Sequence, residues 1–350
     1  MRLSPVIPFF CAALIFAPVV ARAQSRTIPA SAAVVEDSFR PLGFNAASKA
    51  RDSSALHESD DDILRGALWT KLAVSKPPNR PSVGLALSGG GARGFVHTGV
   101  LEVLEYAGFP VDMVSGTSMG AVIGSLYVTG LSVEEIWEFG RKASQFNVSR
   151  DFKGIRLLRL LLTDKLITPT YIERFIDGRL GNLSFEKLRL PFACVAMDFR
   201  TGEKIIFTEG ELATAVRASA NLPGIFAPVQ YRHRYLVDGG VVDFIPIDAA
   251  RGLGADWVLA SVTESLPGEM PENVLLSLLQ VIDIRGSMLA INSEKEADFL
   301  IKPVVGDIQV ADFEKCAQAG DIGVIEASKR IEKAEEALLV SSVPLLLAKP

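Results

Sequence analysis

The sequence has few of the residues that metal sites and disulfide frameworks require, with three cysteines and three histidines among 350 residues. No cysteine and histidine lie at the spacing of a metal site, so we expect no metal. Cys194 lies in an apolar segment, where cysteine usually packs as a small buried side chain, and we expect no bond to Cys316. Dense basic runs are also missing, and the net charge is −5, which argues against a nucleic-acid-binding protein.

Long apolar runs are missing after the first 23 residues. Residues 1–23 combine Arg2, an apolar stretch and the sequence Ala21-Arg22-Ala23, which is typical of a secretory signal peptide cleaved after Ala23. No later run reaches the roughly 18 apolar residues of a membrane span. The sequence therefore predicts an exported protein, periplasmic or secreted. A retained membrane anchor is the alternative, but the run is short and interrupted by prolines.

The remaining chain divides into three parts by composition. Residues 24–80 are polar and irregular, so we expect a partly disordered lead with one helix at 61–74. From residue 83 onward, short apolar runs alternate with longer helical patterns. This alternation predicts an α/β fold with a largely parallel sheet covered by helices. Residues 83–250 form the predicted core, and residues 251–350 complete it with further α/β elements and helices.

One serine is predicted to lie at the junction between a strand and a helix. In DMVSGTSMGAVIGSL (112–126), Gly116, Ser118 and Gly120 form a Gly-x-Ser-x-Gly pattern after an apolar run and before small residues. This arrangement is typical of a nucleophile elbow, a sharp turn that exposes a serine hydroxyl at the sheet edge. Gly116 and Gly120 would relieve crowding at that turn. The pattern predicts Ser118 as a nucleophile.

A second glycine motif, SGGGARG (88–94), has two interpretations. Gly89, Gly91 and Gly94 lie between a predicted strand and helix at the spacing of a dinucleotide-binding fingerprint. That fingerprint also needs an acid about 20 residues later, at the end of the next strand. Asp112 has roughly this spacing, but it begins the next strand instead of ending it. We therefore expect no dinucleotide cofactor.

The other interpretation makes the same glycines an oxyanion hole. Residues without a Cβ let backbone amides face a cavity, and the helix that follows adds its positive end. Amides of Gly89, Gly90 and Gly91 could then bind the negative oxygen of an acyl intermediate, with Arg93 reinforcing the positive charge. The alternative for Arg93 is a surface side chain at the start of a helix.

A serine nucleophile needs a base, and none of the three histidines is well placed. His57 lies in the polar lead, His97 in the helix behind the glycine loop, and His233 at a predicted hairpin turn. Asp238 instead ends an apolar run. The two residues that follow, Gly239-Gly240, turn the chain and present the carboxylate at a strand end.

A carboxylate is a weak base at its reference pKa near 3.9. Desolvation against Ser118 would raise the pKa of Asp238, and direct contact would favour proton transfer. Comparison of the three histidines with Asp238 as candidate bases therefore favours a Ser118–Asp238 dyad.

Four motifs in this order, SGGGARG, GTSMG, RASANLPGIFAPV and DGG, resemble the bacterial branch of the patatin-like phospholipase family. The resemblance covers roughly residues 83–250. It implies a three-layer α/β/α sandwich, a Ser118–Asp238 dyad, an oxyanion hole at Gly89–Gly91, and chemistry without a metal or cofactor. Ser88 stands where plant members have an acid. Asp243 is an acid whose role, tuning Asp238 or capping a helix, stays open.

The resemblance implies a serine acyl hydrolase whose substrates are lipid acyl esters, either phospholipids or lysophospholipids, and the signal-peptide pattern predicts that it is exported. A thioesterase or small-ester hydrolase would use the same residues. A catalytically silent lipid-binding protein is the alternative from another class, against which the complete set of motif residues argues.

The segment 146–175 suggests how lipid reaches the site. Its middle, residues 152–162, interleaves apolar residues with Lys153, Arg156 and Arg159, which is typical of an amphipathic element on an anionic lipid surface. A core-packing helix with solvated basic residues is the alternative. Because the segment follows the predicted nucleophile helix, we expect it near the cleft entrance, in peripheral contact with a membrane surface.

Overall fold

The structure is a computed structural model that describes residues 60–145, 170–264 and 274–347. Three expected features lie outside the described residues: the signal peptide, most of the polar lead with His57, and residues 146–169 of the segment at 146–175. Across those three ranges, none of the helices is long and apolar enough to cross a bilayer.

Eight strands alternate with helices along the described chain. The strands are β1 Val83–Leu87, β2 Met113–Thr117, β3 Phe192–Asp198, β4 Lys204–Phe207, β5 Val229–Tyr231, β6 Arg234–Asp238, β7 Trp257–Ser261 and β8 Phe299–Ile301. The α-helices are α1 Asp60–Val74, α2 Val96–Tyr106, α3 Met119–Val128, α4 Val133–Gln145, α5 Thr170–Leu180, α6 Leu212–Ser219, α7 Ile247–Gly252, α8 Val274–Ser293 and α9 Cys316–Leu347. The helix predicted at 61–74 is confirmed as α1.

All eight strands belong to one sheet. Five of them run parallel in the order β3-β2-β1-β7-β8. The other three, β4, β5 and β6, pair antiparallel at the β3 end of the sheet. The largely parallel sheet expected from the alternating pattern is confirmed.

The pairing along β3 places two strand ends opposite each other. On one side, β3 pairs with β4 over residues 194–197. On its other side, β2 pairs with residues 192–195 and β6 with residues 196–198. Because β2 runs parallel to β3 and β6 runs antiparallel to it, their carboxyl ends meet at the boundary between Val195 and Ala196. The residues that end or follow these two strands therefore meet although about 120 residues separate them.

Helices cover both faces of the sheet. Successive residues of a strand point to opposite faces, so each strand contributes side chains to two cores. Leu85, Leu87 and Leu259 point into the larger core, beneath α2, α3, α4, α6 and α9. Ala86, with Val258 and Ala260, points into a smaller core beneath α7 and α8. The result is the three-layer α/β/α sandwich that the resemblance implied. Cys194 and Cys316 are both buried and unpaired, as expected.

Candidate active site

Ser118 lies at the turn between β2 and α3 in a strained backbone conformation. Its φ is +54°, a region that non-glycine residues seldom occupy and that clusters at functional sites. The turn is tight because the chain crosses β1 closely: a Cβ on Gly120 would lie 2.3 Å from the Leu87 carbonyl oxygen. Gly116 likewise faces the backbone of Gly120. These contacts give the two motif glycines the steric role expected of them.

Asp238 lies at the carboxyl end of β6, directly opposite the elbow. Its Oδ2 accepts a hydrogen bond from Ser118 Oγ at 2.6 Å, and its Oδ1 accepts one from the Gly240 amide at 2.8 Å. Gly239 lies against the Val195 backbone, where a Cβ would approach the carbonyl oxygen to 2.3 Å. The turn at Gly239-Gly240 therefore fixes the carboxylate so that one oxygen faces the serine hydroxyl.

Burial controls the acidity of Asp238. The residue is only 2% exposed, and this desolvation raises the pKa of the carboxyl to about 6, although the bonds from Ser118 and Gly240 lower it. A carboxylate with a raised pKa is a stronger base than an exposed one and is still ionised near neutral pH. The pair can therefore transfer a proton from Ser118 Oγ to Asp238 Oδ2.

Two residues of the RASANLPGIFAPV motif hold the dyad in place. The Ser219 hydroxyl donates to the Val195 carbonyl at 2.6 Å and accepts the Ser118 amide at 3.0 Å. The Asn221 carbonyl accepts the Asp238 amide at 2.8 Å. Sequence reasoning assigned no role to either residue, since no local spacing relates Ser219 to a serine 101 positions earlier. The motif itself was the only signal.

The glycine loop faces the same site, but its three glycines are not equivalent. The Gly89 amide donates to the Phe244 carbonyl at 3.0 Å, so the expectation that it belongs to the oxyanion hole is wrong for this conformation. Among the described residues, no backbone or side-chain acceptor bonds the amides of Gly90 and Gly91. Both line the cleft beside Ser118, so they are the available donors.

The loop conformation depends on glycine at position 91. Gly91 has a φ of +57° and begins a short 3₁₀ turn, Gly91–Phe95. A Cβ there would lie 2.4 Å from the Val310 carbonyl oxygen, which also accepts the Ala92 amide at 2.8 Å. Gly94, in the same turn, packs against the Met119 side chain. The loop is thus fastened both to α3 and to the segment before α9.

Arg93 lines the cleft, but its charge is already balanced. The side chain is 5% exposed, and both terminal nitrogens bond the carboxylate of Asp283 in α8. Its Nε also donates to the Gly90 carbonyl at 3.3 Å. The expectation that Arg93 adds positive charge to the oxyanion hole is therefore corrected. The guanidinium instead ties α8 to the glycine loop.

We expect Asp283→Asn to lower both stability and turnover. The substitution leaves the buried Arg93 cation without a counter-charge, which costs about 3 kcal/mol for a largely buried pair. It also loosens Gly90, so kcat should fall, by up to the roughly 10²-fold that a lost oxyanion donor costs. Thermal unfolding and steady-state kinetics measure the two effects. Asp307→Asn, at a carboxylate that is 84% exposed, is the matched control and should change neither. Unchanged kcat in the Asp283 variant would show that the Arg93–Asp283 pair does not hold the glycine loop in its active position.

Neither of the two histidines that the structure describes forms a hydrogen bond with Ser118 or Asp238. His97 is fully buried, with Nε2 bonded to the Ser88 carbonyl at 2.9 Å and Nδ1 to Ser261 Oγ at 2.8 Å. Both ring nitrogens are thereby occupied, and burial lowers the pKa of His97 to about 4. The packing role expected for it is confirmed. His233 is exposed in the turn between β5 and β6.

Asp112 and Asp243 have other partners. The Asp112 carboxylate accepts from the buried Arg80 guanidinium and from the Val83 amide at 2.7 Å, so it is not free to bind a ribose. Asp243 pairs with Lys204 at 3.2 Å, and burial raises the pKa of Asp243 to about 7. Its carbonyl accepts the Thr117 hydroxyl at 3.0 Å. Asp243 thus supports the end of β2 through its backbone.

The dyad opens into a small cleft that is partly open to solvent. Its walls combine the catalytic candidates with apolar side chains: Gly89, Gly90, Gly91, Arg93, Ser118, Leu222, Asp238, Gly240, Phe244, Leu279, Ile282, Asp283 and Val310. The apolar members come mainly from α8 and from loops that the sequence motifs did not mark. Such a cleft, mostly apolar with a few converging polar groups, suits a substrate with an aliphatic part.

Comparison with known protein families gives a match that includes both Ser118 and Asp238. The model of the patatin-like phospholipase family matches residues 85–251. The chain carries a patatin-like phospholipase domain. This patatin domain begins within β1, includes β2 to β6, the glycine loop, Ser118 and Asp238, and excludes α8 with its cleft-lining residues.

Several known proteins are similar to about half of this chain. An uncharacterized NTE family protein of Mycobacterium tuberculosis is 33% identical over 181 residues, which are 51% of this chain and 48% of the relative. Lysophospholipase nte1 of Aspergillus fumigatus is 33% identical over 196 residues, or 55% of this chain and 12% of that protein. The chain therefore matches about half the length of the mycobacterial relative and a small part of the fungal one.

Solved structures similar to this chain include human GIVD cytosolic phospholipase A2 and VipD from Legionella pneumophila. The human protein superimposes with a TM-score of 0.46 at 13% identity, over 85% of this chain and 64% of that chain. VipD superimposes with a TM-score of 0.46 at 15% identity, over 73% of this chain and 67% of that chain.

Proposed function

We propose that this protein is a serine acyl hydrolase that cleaves the acyl esters of lipids, phospholipids or lysophospholipids, at Ser118. The observation that carries the proposal is the 2.6 Å hydrogen bond between Ser118 Oγ and the buried Asp238 carboxylate, placed beside two available backbone amides in an apolar cleft. The patatin domain and the lysophospholipase relatives support the same substrate class.

The proposed reaction proceeds through an acyl-enzyme. Asp238 accepts the Ser118 proton as Oγ attacks the ester carbonyl, and the amides of Gly90 and Gly91 bind the oxygen that becomes negative. The proton then passes to the leaving alcohol as the ester bond breaks. Water, deprotonated by Asp238, attacks the acyl-serine, and Asp238 returns the proton to Ser118 Oγ as the acyl–oxygen bond breaks and the fatty acid leaves. The positive end of α3 behind Ser118 further favours the anionic intermediate.

The pH dependence of hydrolysis should report Asp238. Its pKa is raised to about 6, and only the ionised carboxylate can accept the serine proton. We therefore expect kcat/KM for a soluble ester to fall as pH decreases through about 6 and to level off above it. Asp243→Asn removes a second carboxyl, whose pKa burial raises to about 7, and should leave this inflection in place. Loss of the inflection in that variant would assign the titration to Asp243 instead of the dyad.

A thioesterase or small-ester hydrolase is the second candidate, because the same dyad would serve a thioester. The apolar lining of the cleft from Leu222, Leu279 and Ile282 favours long aliphatic acyl groups over small esters. Incubation of the purified protein with a mixed lipid extract, followed by mass spectrometry of the products, tests the choice. We expect free fatty acids with the loss of phospholipids or lysophospholipids. Turnover restricted to acyl thioesters would contradict the proposed substrate.

The proposal also includes export of the protein and its contact with a membrane surface. The amino-terminal sequence pattern supports secretion or a periplasmic location. Membrane lipids as substrates would require peripheral contact with a bilayer, to which the basic segment at 152–162 would contribute. A catalytically silent lipid-binding protein is less well supported, because the dyad, the elbow and the glycine loop are all intact.

A further inference from the structure

The outward face of α8 carries an apolar stripe. Val281, Ile284, Met288 and Ile291 are between 53% and 63% exposed. Their spacing of three, four and three residues places them along one side of the helix. We call these four residues the α8 stripe. Large apolar side chains scattered singly on a surface are ordinary, but a row of four on one helix face marks an interaction site.

The opposite side of the same helix forms a wall of the active-site cleft. Leu279, Ile282 and Asp283 line the cleft with Ser118. The helix is also fixed there, because Asp283 bonds Arg93 and a Cβ on Gly286 would lie 2.7 Å from the Phe244 ring. The α8 stripe is therefore separated from the cleft only by the thickness of one helix, roughly 10 Å.

The exposed face of α8 carries little charge. Across residues 277–293, all described by the structure, the exposed positions other than the stripe are Arg285, Ser287 and Asn292. Asp283, the carboxylate nearest the stripe in sequence, is turned inward to Arg93. The exposed face of α8 is thus apolar with one cation and no anion, which suits an anionic lipid surface.

The size of the stripe distinguishes between a lipid and a protein partner. A stable protein interface buries about 800 Å² on each partner, far more than four partly exposed side chains can supply. Insertion into a bilayer needs only a few apolar side chains at the headgroup boundary. We propose that the α8 stripe inserts into a phospholipid surface and so holds the active-site cleft within about one helix thickness of the bilayer. This inference rests on the proposed lipid hydrolase function.

Vesicle binding tests the inference in a form independent of catalysis. The double variant Ile284→Gln/Ile291→Gln and the control Ile325→Gln/Val340→Gln are each made in full-length protein carrying Ser118→Ala, which prevents hydrolysis of the vesicles. The control residues are 56% and 66% exposed on α9. With vesicles of phosphatidylcholine and phosphatidylglycerol, we expect the stripe variant to partition at least about tenfold more weakly. The control should bind as the parent does. Equal binding by both variants would overturn the proposal.

Activity and stability measurements with an intact Ser118 separate the remaining outcomes. The stripe variant should hydrolyse a soluble short-chain ester normally and vesicle phospholipid more slowly. If the wild-type protein hydrolyses neither, the hydrolase proposal fails, and the vesicle-binding result still decides the stripe. A lowered melting temperature in the stripe variant alone would show that another part of this chain covers the stripe. A wild-type dimer that the stripe variant dissociates would assign the face to self-association. Either result overturns insertion.

Discussion

Ser118→Ala is expected to hydrolyse lipid esters on the order of 10⁴-fold or more below the wild-type rate, because nucleophile and base act as one unit. Alanine lacks the oxygen that would carry the acyl group. The backbone should persist, since the Ser118 amide still bonds Ser219. Rates on a soluble ester and a lysophospholipid, with circular dichroism for folding, measure the change.

Ser125→Ala is the matched control for this variant. Ser125 lies in α3, the helix that follows Ser118, is fully buried, and its hydroxyl bonds only the local Val122 carbonyl among the described contacts. The control should keep nearly full activity. If the Ser118 variant retained a tenth of the wild-type rate in the well-folded state, another nucleophile would have to carry the reaction.

Asp238→Asn is expected to be nearly as damaging to activity and, at neutral pH, favourable to stability. The amide keeps the shape of the side chain and can still accept the Gly240 amide, but it cannot accept the serine proton. Loss of a general base costs roughly 10²–10⁴-fold, and the dyad places this variant toward the upper end.

The stability effect follows from the raised pKa. The carboxyl titrates near 6 in the folded protein against 3.8 as the reference. Its folded form therefore binds a proton more tightly than the unfolded form. The free energy of unfolding therefore falls as pH rises from about 4 to about 6, by up to about 3 kcal/mol, and the loss is complete at higher pH. The asparagine variant avoids this loss, so its melting temperature at pH 8 should equal or exceed that of the wild type.

The histidine variants provide the control for the base. His97→Gln and His233→Gln should each retain most of the activity, because neither imidazole contacts Ser118 or Asp238 among the described hydrogen bonds. An inactive but well-folded His97 or His233 variant, together with an active Asp238→Asn variant, would show that the base is a histidine.

The sheet and the dyad were predictable because their signals are local. The apolar runs at β1, β2, β3, β4 and β7 are short and bounded by turn residues, and this pattern predicts strands. Ser118 and Asp238 each lie at a strand end beside glycines, a pattern visible within five residues. Their contact was implied by the family resemblance. Its structural cause, two strand ends meeting along β3, depends on register, which no local pattern specifies.

The walls and supports of the site were not predictable in the same way. Ser219 reaches Ser118 across 101 residues, and Asp283 reaches Arg93 across 190. Such contacts depend on how α6 and α8 pack on the sheet. The sequence could not show that the charge of Arg93 is balanced, because its counter-ion, Asp283, lies far away in the sequence. Gly89 was included in the predicted oxyanion hole for a similar reason, since only the fold shows that the Phe244 carbonyl accepts its amide.

The central claim is that Ser118, activated by Asp238, is the reactive nucleophile, and a fluorophosphonate probe tests it directly. Mass spectrometry of the labelled wild-type protein should find one adduct, on the peptide that contains Ser118. Labelling should disappear in Ser118→Ala, become much slower in Asp238→Asn, and continue in His97→Gln and Ser125→Ala. An adduct on another residue, or labelling of Asp238→Asn at the wild-type rate, would contradict the dyad.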